Sequence, residues 1–127
     1  MYAITIQQPW ASLIALGIKT TEYRSWSTRH RGPIAIHAAA SRPHDYDELF
    51  LSDRARRRLG PPGDLPRGCI VAVATLADVA WSEEDGCYGW QLRNIKPVVP
   101  PLAARGKQRL WPLDEATAAT LVGRTRR

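Results

Sequence analysis

Lys19, Glu22 and Arg24 bring an ammonium, a carboxylate and a guanidinium together in "GIKTTEYRSW", residues 17–26. If 20–26 is extended, Thr20, Glu22, Arg24 and Trp26 point to one face, and Thr21, Tyr23 and Ser25 to the other. Glu22 and Arg24 are then neighbours, and the stem of Lys19, just after Gly17, is long enough to swing to either side. On an open surface this set is an ion pair contributing about 0–1 kcal/mol. Walled into a groove, it is a recognition site: Glu22 accepts from a base edge while Lys19 or Arg24 holds phosphate or polarises a carbonyl. Trp26 is the candidate stacking platform, a contact worth about 1–3 kcal/mol per base. Ser41, after "HAAA", is a candidate hydroxyl donor. Residue types and spacing alone leave the surface pair and the groove both open.

The flanking elements must decide between them. "YAITIQ" alternates as a half-buried strand. Pro9 then opens a helix over 9–16, with Trp10, Leu13 and Ile14 at i, i+3, i+4 as core positions and Gly17 as its left-handed stop. Strands are expected at 20–26, in "RGPIAIHAA", in the apolar run "CIVAVATLADVA" covered on both faces, and in "YGWQLRNIKPV", with "RLWPL" closing the sheet. "DYDELFLSDRARRRL" reads as one helix and "DEATAATLVG" as another, stopped by Gly123. The Gly/Pro loop at 60–68 joins parts of one core. Too few helices follow the strands for a doubly wound sheet. The expected fold is mainly β with flanking helices, an α+β small mixed barrel: one domain over 1–123 with a basic tail at 124–127. The segment after Gly17 would line a groove between the first helix and the barrel mouth.

Lys and Arg number 18 against 12 Asp and Glu, a net +6 that favours a polyanionic partner. Without Arg124, Arg126 and Arg127 the balance is 15 against 12, so the body is only mildly basic. The cations of "SDRARRRLG" end a helix, where they also suit its dipole. His30, His37 and His44 recur every seven residues but across a turn, a strand and a loop, so no metal site is expected, and His37 reads as a core or groove-wall residue. Cys69 and Cys87 have neither zinc nor redox spacing. No apolar run spans a membrane and the N-terminus lacks a signal-peptide pattern, so the expected location is cytoplasmic. Phosphate-loop, nucleophile-elbow and H-E-x-x-H motifs are absent, and no cofactor is expected. Nothing in the sequence sets the oligomeric state.

"QPWASLIALGIKTTEYRSW", followed by "RGPIAIHAA", "GCIVAVATLADV", "YGWQLRNIKPV" and "GKQRLW", resembles the ASCH family, the activating signal cointegrator homology domains. The resemblance runs from about Ile4 to Trp111, and its most specific element is G-x-K-x-x-E-x-R: Gly17, Lys19, Glu22 and Arg24. It implies a PUA-like barrel with those side chains in a cleft beside the first helix, and RNA or a nucleoside or nucleotide as ligand. Some small relatives act as ribonucleases, or as amidohydrolases on N4-acetylcytidine through G-x-K-T-x-T-x-R and a later Glu. Here Glu22 replaces the second Thr, so an enzyme of this kind would have to use Lys19 and Glu22, with Glu22 as a base toward water. Glu83 and Glu84 are candidates for the later carboxylate; a solvated turn is the competing reading.

Overall fold

The structure is a computed structural model describing residues 1–125. Six strands form one sheet: β1 Tyr2–Ile6, β2 Thr21–Arg24, β3 Gly32–Ala38, β4 Cys69–Ser82, β5 Cys87–Ala103 and β6 Leu110–Pro112. Their order is β2-β5-β4-β3-β1-β6. β1 and β3 are parallel, because α1 (Trp10–Ala15) and β2 intervene, and the other pairs are antiparallel. The long β4–β5 hairpin slips register three times, and such bulges sharpen twist and curl a sheet. The expected mixed, barrel-like α+β architecture is present, but the sheet is not closed: among the described residues no ladder joins β2 to β6.

Three apolar clusters hold this arrangement. Inside the curl, Ile4, Ile6, Ile34, Ile36, Leu76 and Trp90 pack on Ala11 and Ile14 of α1. Behind the sheet, Ala3, Ala35, Ile70 and Trp111 take Leu121 of α3, Glu115–Thr125. β3 is therefore buried on both faces along Ile34–Ala38. The apolar run of β4 is covered on both faces only at its start; from Asp78 it alternates into solvent. Beyond α1, Leu13 meets Tyr46, Ala55, Leu59 and Leu65.

Three expectations are corrected. The helix expected over 45–59 divides into a single 3-10 turn, Tyr46–Glu48, and α2, Asp53–Leu59, because Asp45 and Ser52 each cap a separate start: Asp47 N donates to Asp45 Oδ1 and Ala55 N to Ser52 Oγ. β5 runs on past Val98, where the expected strand ends, to Ala103. β2 pairs only with its Tyr88–Gln91 stretch, so the prolines lie on a free edge, where a missing N–H costs nothing. α3 passes through Gly123, and Arg124 Nη1 donates to the Pro100 and Pro101 carbonyls. Of the basic tail expected at 124–127, residues 126 and 127 lie outside the described residues.

Candidate functional site

The cleft is the seam where the sheet fails to close. β6 pairs with β1 only at Tyr2, Ala3 and Ile4, so beyond Ile4 no strand among the described residues pairs with β1 on that side. Arg24, at the end of edge strand β2, reaches across, and its Nη2 donates to the Thr5 carbonyl at 2.8 Å. A second bridge lies nearby: the Arg109 guanidinium, just before β6, stacks 4.6 Å over the Trp26 ring, just after β2. Between β1, β2 and α1 this leaves a cavity of about 470 Å³, within the range of small-ligand sites.

Local structure explains how the side chains arrive there. Gln8 is fully buried; its Oε1 accepts from Ser12 N at 2.9 Å, and its Nε2 donates to Ser12 Oγ and the Pro66 carbonyl, both at 2.7 Å. This side chain anchors the first turn of α1, where no side chain caps from the usual position. Gly17, at φ 76°, ends the helix, and the Ile18 and Lys19 N–H groups turn back to the Leu13 carbonyl. The chain then enters β2 with Glu22 inward and Tyr23 exposed, the expected alternation.

Glu22 is buried, an unusual place for a carboxylate unless it is paired. Arg24 donates twice to its Oε2, from Nε at 3.1 Å and Nη2 at 2.8 Å. Lys19 Nζ stands 3.5 Å from Oε1, donates to the Thr21 carbonyl and lies 5.0 Å from the Tyr23 ring centroid. The two oxygens thus differ. Oε2 is occupied by the guanidinium; Oε1 has only a loose ammonium contact and keeps acceptor capacity toward the cavity. Glu22 is also the only carboxylate among the described residues that line the cavity.

Of the residues singled out in the sequence, Lys19, Glu22, Arg24 and Ser41 line this cavity together. Trp26 does not: one face carries Arg109 and Trp90 meets it edge-on at 4.8 Å, so it belongs to the seam closure. The aromatic lining is Trp10, expected in the core, together with the exposed Tyr23. Trp10 sits half-buried at the open end of α1, edge-on to His44 at 5.1 Å. Helical spacing marked Trp10 as apolar-facing, and only its place in the first helical turn hinted at the cleft. Glu83 and Glu84 lie in the exposed β4–β5 turn and line no part of the cavity. Among the described residues no three His, Cys, Asp or Glu converge as metal ligands.

His37 is buried deeper on β3. Its Nε2 donates to the Ala104 carbonyl at 2.6 Å, and its Nδ1 is 3.2 Å from Thr5 Oγ1. Burial pushes its pKa down, and the Ala104 hydrogen bond partly opposes that.

With this geometry in view, the comparisons agree on one family. The ASCH domain family model matches residues 4–101. Activating signal cointegrator 1 from Homo sapiens is 30% identical over 129 residues, covering 89% of this chain and 22% of that protein, and the Mus musculus protein matches equally. The chain spans about a fifth of the length of these relatives. Among solved structures, ASCH from Zymomonas mobilis superposes with a TM-score of 0.64 at 16% identity, over 98% of this chain and 95% of that one. A point variant of it gives 0.63 over 98% and 96%. At that identity the likeness is one of fold, whereas the family model covers most of the chain: this chain belongs to the ASCH domain family.

Proposed function

We propose that the chain binds RNA or a nucleotide by seating one base in the seam cleft. The observation that carries this reading is the asymmetry of Glu22, whose Oε2 is spent on Arg24 while Oε1 keeps acceptor capacity toward a cavity walled by Trp10. A base with an exocyclic amine supplies the matching donor, and Lys19 and Ser41 supply donors for its carbonyl or an adjoining phosphate. Trp10 offers the apolar contact that base binding uses. Family membership and the chain's basic balance support the same partner class.

Binding without turnover is favoured over hydrolysis. The amidohydrolase pattern calls for a hydroxyl where Glu22 stands, and Glu22 is already engaged by two cations. The test is parallel incubation with N4-acetylcytidine and with single-stranded RNA, following deacetylation, cleavage and retention. Retention of RNA with neither reaction is expected; deacetylation that vanishes in Glu22→Gln would replace this reading with the hydrolase.

A further inference from the structure

A second cavity, of about 380 Å³, borders the first: Thr5 and Ala39 line both. The two hollows therefore adjoin at Thr5 and Ala39, and end to end they would make one trough around the end of β1. The second has a different chemistry. Its floor is small and apolar, from Ala39, Ala40, Gly68 and Ala104 over His37, and its rim is the 105–108 loop with Arg105 and Lys107. That loop is held against the floor: a Cβ on Gly106 would lie 2.7 Å from His37 Cε1 and 2.9 Å from Thr5 Oγ1, so only glycine lets the backbone lie so close.

The charge balance also differs. In the first cavity Lys19 and Arg24 share Glu22, leaving one net positive charge. Arg105 and Lys107 are exposed, and neither has a carboxylate within 4 Å among the described residues; no acidic side chain lines the second cavity. Two unneutralised cations over an apolar floor match a nucleotide unit with its phosphate at the rim and its base or sugar on the alanines.

We infer that the second cavity is the subsite for the next nucleotide of a single RNA strand, with Arg105 and Lys107 holding the phosphate beyond the base seated at Glu22. This rests on the cleft reading above, and it assigns the chain an oligonucleotide ligand in preference to a free nucleoside. The trough's direction, from β2 across Thr5 to the 105–108 loop, is the path of that strand.

The test is calorimetric titration of the full chain with cytidine and with a short cytidine-rich single-stranded RNA, at several salt concentrations. The parent, Arg105→Ala/Lys107→Ala and Lys19→Ala are compared. Both rim residues are exposed, so the double variant should melt like the parent. It should bind cytidine unchanged, bind the RNA roughly tenfold more weakly, and lose about 1.4 from the slope of log affinity against log salt, as expected for two lost phosphate contacts. RNA binding by the double variant with parental affinity and slope overturns the subsite. If Lys19→Ala leaves cytidine and RNA binding untouched while the double variant weakens RNA, the cleft reading fails, and the continuous trough with it. If the parent binds neither probe, both are overturned.

Discussion

Arg24→Ala should destabilise the domain by an amount the geometry fixes. Arg24 makes two hydrogen bonds to Glu22 Oε2 and a third to the Thr5 carbonyl, while the Glu22 side chain keeps only 11% of its exposure. A hydrogen bond to a charged group contributes about 1.5–3 kcal/mol, and stranding one member of a fully buried pair costs about 3–5 kcal/mol. Two features pull the figure below that upper range. The Arg24 side chain is 25% exposed, so solvent screens the pair, and Lys19, 3.5 Å from Oε1, remains as a second cation. The expected loss is about 2–3 kcal/mol, a fall in Tm of roughly 8–12 °C for a domain of this size. Adding Glu22→Gln removes the stranded charge, so the double variant should be about 1 kcal/mol more stable than the sum of the singles predicts. Urea unfolding of the four proteins measures the cycle. A strictly additive cycle, or an Arg24→Ala cost below about 0.5 kcal/mol, would refute the claim that this pair holds the open seam.

Three further outcomes follow from the same structure. His37 has a pKa below its ordinary value of 6.5, mainly because burial disfavours the imidazolium, so the unfolded chain binds the extra proton first as pH falls. Its contribution to stability is complete above about 6.5 and lost through the lowered folded pKa; urea midpoints at about pH 7 and pH 5 should differ less in His37→Gln than in the parent. The Tyr46 hydroxyl is buried with no hydrogen-bond partner among the described residues, so Tyr46→Phe should be neutral or stabilise by up to about 1 kcal/mol, and a clear loss in chemical denaturation would contradict this. Gly106→Ala should cost about 1–3 kcal/mol through overpacking on His37 and Thr5, read as a lower Tm; an unchanged Tm would mean that the 105–108 loop yields freely.

Much of the fold is legible in the residues because its signals are local. The alternation of β1, the apolar spacing of α1 and its Gly17 stop all rest on contacts within one element. The elements that differ do so for equally physical reasons. The stretch 45–59 reads as one helix, yet Asp45 and Ser52 each claim a separate turn, and Phe50 ends fully exposed. The strand expected to end at Val98 runs on through Pro100 and Pro101, which fall on a free edge of β5. In the site, the strand alternation placed Glu22 and Arg24 on one face. The seam itself depends on β6 being three residues long and leaving Thr5 uncovered, a matter of long-range register that no local pattern encodes. The exchange of roles between Trp10 and Trp26 follows from that seam: the tryptophan after β2 closes it with Arg109, and the one opening α1 overlooks it.

The ligand site proposed for this chain is Glu22 and Lys19, with Arg24 as its support. The most direct measurement is titration of the parent, Lys19→Ala and Glu22→Gln with single-stranded RNA and with cytidine, beside thermal melts of the same proteins. Both variants should lose affinity for both ligands by roughly tenfold or more, as expected for a lost charge-assisted hydrogen bond, while their stability falls by no more than about 1 kcal/mol. Parental binding of both ligands by both variants would contradict it, leaving Lys19, Glu22 and Arg24 as an ion-paired closure of the seam alone.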